Sequence, residues 1–161
     1  MNNISRTKLL DIVKNCDGLA VTIYMPTYVA GRRKEENPIR LKNHYNRAEY
    51  FLSETEMGRA EITSHLKPIK DLIDDEFFWQ QQTEGLVLFL DKSKFHRFQL
   101  PDKVEEGLYI GNQFHITPLI PIYQGNGYYY LLLIDQERPK IMEGSKFHLA
   151  KIDEIELPES L

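Results

Sequence analysis

The hydrophobic pattern of this chain changes its period at Gly85, and this change constrains the fold more than any other feature. Before Gly85 the apolar residues mostly recur every three or four positions, which is typical of helices that bury one face. From "GLVLFLD" onward they form short runs separated by polar turns, which is typical of strands. This order predicts an α+β, or α/β layered, domain with two to four helices and a mixed, largely antiparallel sheet.

One apolar run before Gly85 lacks a helical period. This run, "LAVTIYM" at residues 19–25, is rich in β-branched residues and ends at Pro26. Both properties favour a central strand that is buried on both faces. A short helix is predicted over residues 5–15, where a serine cap is followed by a helix-like stripe of leucine, isoleucine and valine.

Two further helical stretches are predicted between this strand and Gly85. Pro38 suits the first turn of a helix, and an apolar stripe follows it at spacings of four, three and four. The members of that stripe are Leu41, Tyr45, Ala48 and Leu52. The second stretch covers residues 58–81, and we expect Pro68 to kink or split it because proline lacks the N–H of a helical hydrogen bond.

The region after Gly85 contains two segments with the same internal pattern. Residues 85–100 and residues 130–144 both read as an apolar strand, an aspartate, a polar turn and a second strand, with Asp91 and Asp135 in register. We therefore predict two similar β-hairpins in one sheet. Further strands are predicted at "GLYIGN" and "FHLAK".

The length of 161 residues suits one domain with a substantial core, over residues 1–161. No apolar run approaches the roughly 18 residues of a membrane span, and the N-terminus lacks the hydrophobic segment of a signal peptide. A cytoplasmic protein without membrane partners is therefore expected. Cys16 is the single cysteine, so it has no partner for an internal disulfide.

The distribution of charge is uneven. The net charge is −4, yet the window from Arg32 to Arg47 contains only two acidic residues, Glu35 and Glu36, against a concentration of basic ones. The basic residues of this window are Arg32, Arg33, Lys34, Arg40, Lys42 and Arg47. Such a window is either a solvated surface or an anion-binding patch, and we treat these residues as candidate contacts to RNA phosphates.

Motifs of catalysis are missing from the sequence. The segment "GRRKEEN" lacks the second glycine and the Lys-Ser/Thr pair of a phosphate-binding loop, and no Gly-x-Ser-x-Gly sequence presents a nucleophile. The histidines show neither His-Glu-x-x-His nor paired-cysteine spacing. We therefore expect no metal, no cofactor and no catalytic residue in this chain.

Several motifs taken in order resemble a known family. The motifs are "LAVTIYMPTYVAG", "ENPIRLKNHYNRAE", "LKPIKDLIDDEFFWQQQTEGLVLFLD", "FHITPLIPI", "YYYLLLIDQERPKIMEG" and "LPESL". This series resembles the N-terminal domain of the bacterial proteins related to archaeal and eukaryotic peptide-chain release factors, the baeRF family of the release factor and Pelota superfamily. The resemblance covers roughly residues 19–161, and "PIRLKN" and "FWQQQTEGLVLFL" are its most specific parts.

The resemblance implies the first domain of a three-domain protein that enters the ribosome in place of a tRNA. It implies the ribosome or a structured RNA as partner, together with further domains beyond residue 161. The Asn-Ile-Lys-Ser tetrapeptide of stop-codon reading and the Gly-Gly-Gln of peptidyl-tRNA hydrolysis are both missing from the sequence. Codon reading and hydrolysis are therefore not expected of this chain. The alternative is a non-catalytic protein-interaction module whose basic window is simply solvated.

Overall fold

The computed structural model describes residues 6–124, 129–133, 140–145 and 148–151. It divides into two compact units, Met1–Pro118 and Leu119–Leu161, which we describe separately. Helices and strands both occur, and every strand pair in the described residues is antiparallel. The predicted α+β class with a largely antiparallel sheet is confirmed, and the described residues contain five α-helices where two to four were predicted.

The first unit is built on a four-stranded antiparallel sheet with the order β3-β2-β1-β4. Its strands are β1 (Ala20–Pro26), β2 (Gly85–Leu90), β3 (Phe95–Leu100) and β4 (Gly107–Gly111). Strand β1 is an inner strand and is buried on both faces, as its apolar and β-branched composition predicts. Strands β2 and β3 form the predicted hairpin.

The helices of this unit follow the predicted order. They are α1 (Arg6–Lys14), a 3₁₀ turn (Arg32–Glu35), α2 (Glu36–Ser53), α3 (Arg59–Ile73) and α4 (Glu76–Gln80). Pro38 lies in the first turn of α2, where it removes no helical hydrogen bond, and the predicted apolar stripe of α2 is buried. These two predictions are confirmed.

The prediction that Pro68 splits the second helical stretch is wrong. Helix α3 runs through Pro68, because proline removes one N–H donor while buried Leu66, Ile69 and Leu72 hold the helix against the core. The interruption occurs instead at residues 74–75. There the Asp75 side chain caps α4 by accepting a hydrogen bond from the Phe78 N–H at 2.9 Å.

The two faces of the sheet carry different contacts. On one face, alternate residues of β1 and β2, among them Ile23 and Leu88, join the buried stripes of α2 and α3 in one hydrophobic cluster. On the other face, the Tyr24 hydroxyl donates to the His115 carbonyl at 2.6 Å, and the Thr22 hydroxyl accepts from the His115 N–H at 3.1 Å. These bonds hold the segment after β4 across β1.

The second unit contains α5 (Ile120–Gln124) and a three-stranded antiparallel sheet of β5 (Tyr129–Leu133), β6 (Lys140–Ser145) and β7 (His148–Lys151). The second predicted hairpin is therefore confirmed, but its placement in the same sheet as the first hairpin is wrong. A hairpin pattern depends only on residues within one short segment. Which sheet the hairpin belongs to depends instead on which strands form hydrogen bonds along their edges. Asp135 and residues 152–161 lie outside the described residues.

The turn between β2 and β3 is organised by a buried carboxylate. Asp91 accepts hydrogen bonds from the Ser93 N–H at 2.8 Å, the Lys94 N–H at 2.6 Å and the Ser93 hydroxyl at 3.2 Å. Its second oxygen accepts from the Asp17 N–H at 3.3 Å, which connects the turn to the start of β1. Burial alone would raise the pKa of Asp91, but these backbone N–H groups outweigh it and lower the pKa below its ordinary value.

We expect Asp91→Ala to lower the free energy of unfolding by about 2–3 kcal/mol, because it leaves buried turn N–H groups without their charged acceptor. Asp91→Asn keeps one acceptor oxygen and should lose less than the alanine variant. Urea unfolding followed by circular dichroism measures both changes. Equal stability of the alanine variant and the unmodified chain would show that the carboxylate does not organise this turn.

Candidate nucleic-acid interface

The loop that follows β1 is held at both ends. The Thr27 N–H donates to the Glu84 carbonyl at 3.0 Å, so the chain leaves the sheet in a defined direction. The buried Asn37 side chain then binds the backbone of Tyr28 twice: it accepts from the Tyr28 N–H at 2.9 Å and donates to the Tyr28 carbonyl at 3.0 Å. Gly31, with φ of 76°, permits the turn between these fixed points. The result is a preorganised connection from β1 to α2.

This connection places the Tyr28 ring beside two arginines. The Arg33 guanidinium lies over the ring, 3.9 Å from its centroid, and donates a short hydrogen bond to the Tyr28 hydroxyl. The Arg40 guanidinium lies 5.5 Å from the same centroid and 3.5 Å from the same hydroxyl oxygen. Stacking on an aromatic face orients a guanidinium while leaving N–H groups for other acceptors.

Two carboxylates partly neutralise these arginines. Glu36 lies 3.3 Å from Arg33 and 4.0 Å from Arg40. Glu106, which precedes β4, lies 3.2 Å from Arg40. The side chain of Arg33 stays 65% exposed and that of Arg40 only 23%. We name Tyr28, Arg33, Glu36, Arg40, His44 and Glu106 the Tyr28 cluster.

His44 is the buried member of the Tyr28 cluster, with a side chain only 1% exposed. Its Nε2 lies 2.9 Å from Glu106 Oε1, yet neither ring nitrogen has a well-aligned hydrogen bond within the described residues. Burial lowers the pKa of His44, and the nearby Arg47 and Arg40 lower it further, while Glu106 opposes them by raising it. His44 is therefore held toward its neutral form.

The structure separates the six basic residues predicted from the sequence. Arg33 and Arg40 share the Tyr28 ring, and Arg32 directly precedes Arg33 in the 3₁₀ turn. Arg40 and Arg47 differ by about 20° around α2, at about 100° per residue, so both project from the same flank. We group these four arginines under the name arginine face; contacts with the Tyr28 ring place Arg33 and Arg40 in it, and Arg32 and Arg47 are included for their nearness in the chain and on α2.

Lys34 and Lys42 differ from the arginine face in their surroundings. Lys34 donates to the Gln80 carbonyl at 2.8 Å, at the C-terminal end of α4, where a cation is favoured by the helix dipole. Lys42 is exposed about 160° around α2 from Arg40, on the opposite flank of the helix. Within the described residues, Lys42, Arg32 and Arg47 take part in no ion pair.

Sequence reasoning missed Tyr28, Asn37, His44 and Glu106 as parts of this surface. Tyr28 precedes the basic window and Asn37 lies inside it, so an aromatic residue close to arginines could have drawn attention to this part of the sequence. Glu106 lies 66 positions from Arg40 in the chain. No local pattern connects these two residues, and only the pairing of β1 with β4 brings them together.

Neither metal nor membrane features are found in the described part of the chain. No group of three or more His, Cys, Asp and Glu residues there could hold a metal ion. No helix there is both long and apolar enough to cross a membrane.

Comparison with known proteins gives matches only among solved structures. No protein-family model matches the chain. No curated protein matches it either. The chain is similar to an archaeal protein with a TM-score of 0.49 and 18% identity, over 94% of this chain and 45% of that one. It is also similar to the archaeal translation termination factor aRF1, with a TM-score of 0.47 and 16% identity, over 90% of this chain and 41% of that one. It thus spans less than half the length of either structure.

We expect acid to destabilise the fold through the buried His44 and the partly buried His65 and His96. Burial is the main cause that lowers the pKa of His44, His65 and His96. The unfolded chain therefore binds protons more readily than the folded chain does. The resulting stability is complete above the unfolded pKa of about 6.5 and is lost as the pH falls below it.

The measurement is the free energy of unfolding in urea at about pH 7.5 and pH 5.5, where protonation of the unfolded histidines differs. His44→Gln should show a smaller loss between the two pH values than the unmodified chain. Asn46→Gln, an exposed change on the same helix, serves as control and should keep the full loss. An identical loss in His44→Gln would contradict the role of His44.

Proposed function

We propose that this chain is a release-factor-like domain that binds the ribosome or a structured RNA through its arginine face. It would act in translation termination, rescue or regulation, and it would have no catalytic site of its own. The single observation that carries the proposal is the pair of guanidinium groups, those of Arg33 and Arg40, that share the Tyr28 ring on a connection fixed by Asn37. The ordered motifs quoted above support the family.

The chemistry of the arginine face suits phosphate. Guanidinium groups bind phosphate oxygens through paired N–H donors, and each neutralised phosphate releases condensed counterions. Contact with about two to four phosphates would make binding strongly dependent on salt and weakly dependent on sequence. Arg32 and Arg47, without ion pairs in the described residues, are the groups most readily available.

The carboxylates of the Tyr28 cluster set the strength of this binding. A phosphate that approaches Arg40 competes with Glu106 at 3.2 Å, and one that approaches Arg33 competes with Glu36 at 3.3 Å. These pairs are partly exposed, so each contributes only a fraction of a kcal/mol up to about 1 kcal/mol and can be exchanged for a phosphate. The domain would therefore bind RNA moderately and reversibly.

We expect the double variant Arg32→Glu and Arg47→Glu to weaken binding to ribosomes at least about tenfold, because it places two negative charges against phosphates. The slope of the logarithm of affinity against the logarithm of salt concentration should fall by about 2. Co-sedimentation with ribosomes, or with purified tRNA, at about 50 and 200 mM salt measures both quantities.

The matched control carries the same change of charge away from the arginine face. Lys42→Glu with Lys70→Glu alters exposed residues of α2 and α3 and should leave binding within about twofold of the unmodified chain. If both double variants lose binding equally, only the net charge matters and no arginine face exists. If neither loses binding, the assignment to RNA is wrong.

We expect Glu106→Gln to strengthen RNA binding by about threefold or more at low salt, because it releases Arg40 from its carboxylate partner. Glu105→Gln is the control, since Glu105 is the exposed neighbour and takes part in no ion pair in the described residues. Fluorescence anisotropy with labelled tRNA measures the change. Equal effects of the two substitutions would show that Glu106 has no specific role.

Exposed aromatic side chains favour the second candidate, a protein-interaction module. Tyr50 and Phe51 lie side by side on α2, with ring centroids 5.9 Å apart, and Phe77 on α4 is 70% exposed. Aromatic residues are enriched where proteins bind each other. A chain that ignores ribosomes and tRNA but loses a specific protein partner on Tyr50→Ser would support this candidate.

A further inference from the structure

A cleft of about 930 Å³ lies between α3 and the β2–β3 turn, within the first unit. None of its lining residues belongs to the Tyr28 cluster or to the arginine face. Clefts that bind small molecules have volumes of about 300–1,000 Å³. Its size therefore suits an organic molecule of low molecular mass.

The wall of the cleft is partly apolar. Leu19, Met57, Leu90 and Phe95 line it with side chains that are buried or partly buried in the core. Methionine and phenylalanine together offer a surface that adapts to an apolar group. This part of the cleft favours a ligand with a hydrocarbon or aromatic side chain.

One polar group in the wall lacks a protein partner. His65 Nε2 is buried and has no hydrogen bond within the described residues, and burial lowers the pKa of His65 toward the neutral imidazole. A buried polar atom without a partner costs about 1–3 kcal/mol, which a ligand that supplies the hydrogen bond recovers.

Charges of opposite sign come from different walls. Lys92 and Lys94 extend from the β2–β3 turn, while Glu56 and Glu61 come from the α2–α3 loop and from α3. All four side chains are exposed, and none forms an ion pair within the described residues. Asp91, also in the wall, already has its oxygens occupied by backbone N–H groups. The wall formed by the β2–β3 turn thus presents ammonium groups, and the wall formed by α3 and the loop before it presents carboxylates, without ion-pair partners in the described residues.

We propose that this cleft binds a small zwitterionic molecule of the amino-acid class with an apolar side chain. The carboxylate of the ligand lies at Lys92 and Lys94, and its ammonium group lies at Glu56 and Glu61. Its side chain packs against Met57 and Phe95, and His65 Nε2, one helical turn from Glu61 on α3, accepts a hydrogen bond from the same ammonium group. This site is independent of the proposed function in RNA binding.

Three probes of similar shape test the charge arrangement. They are L-phenylalanine, phenethylamine, which lacks the carboxylate, and 3-phenylpropanoate, which lacks the ammonium group. We expect L-phenylalanine to shift the NMR signals of the His65 ring and of the amides of residues 92–94 in a saturable way. Each singly charged probe should bind at least about fivefold more weakly, since each loses one charged contact. No saturable shift at these residues, or equal affinity for all three probes, would overturn the proposal.

Variants of the cationic wall give a second test. Lys92→Gln with Lys94→Gln should abolish the preference for L-phenylalanine over phenethylamine and leave the affinity for phenethylamine within about twofold. Lys14→Gln with Lys70→Gln, exposed lysines outside the cleft, should keep the preference. Retention of the preference in the first variant would contradict the assignment of the carboxylate. If that variant does not fold, the three probes on the unmodified chain still decide.

Discussion

The pairing of β1 with β2 on one side and β4 on the other is the constraint on which the rest of the first unit depends. An inner strand that is buried on both faces leaves no backbone polar group to water, so each N–H and C=O must find its partner in the sheet. The alternate side chains of β1 then face α2 and α3 on one side and the segment around His115 on the other. The Tyr28 cluster is positioned from this strand.

The arginine face shows how this works. The pairing of β1 with β2 fixes the position of Tyr28, which lies two residues after the end of β1. The Asn37 side chain can therefore form hydrogen bonds with the backbone of Tyr28. Because β4 pairs with the other edge of β1, Glu106 arrives beside Arg40 and His44. A basic window in the sequence thus becomes a surface of mixed charge. Partly exposed ion pairs of this kind are weak, so the surface is suited to exchanging carboxylates for phosphates.

Several elements followed from the sequence because their causes are local. The spacing of apolar residues predicted α1, α2 and the β2–β3 hairpin, and the prolines at Pro26 and Pro38 marked the end of a strand and the first turn of a helix. The alternative that Pro68 splits the helical stretch was wrong because the packing of α3 outweighs one missing hydrogen bond. The similarity of the two hairpins suggested one common sheet. That prediction was wrong because a similar sequence pattern does not specify which strands are hydrogen-bonded neighbours.

The sequence by itself therefore determined the class of fold, the order of helices and strands up to β4 and the position of a charged window, since each depends on residues within one or two turns of each other. The tertiary structure decided which charges are paired. Lys42 and Arg40 are two residues apart in the chain but lie on opposite flanks of α2, whereas Glu106 is distant in the chain and contacts Arg40. The physical reason is that a helix turns by about 100° per residue, and that strand pairing joins segments whose separation no local pattern records.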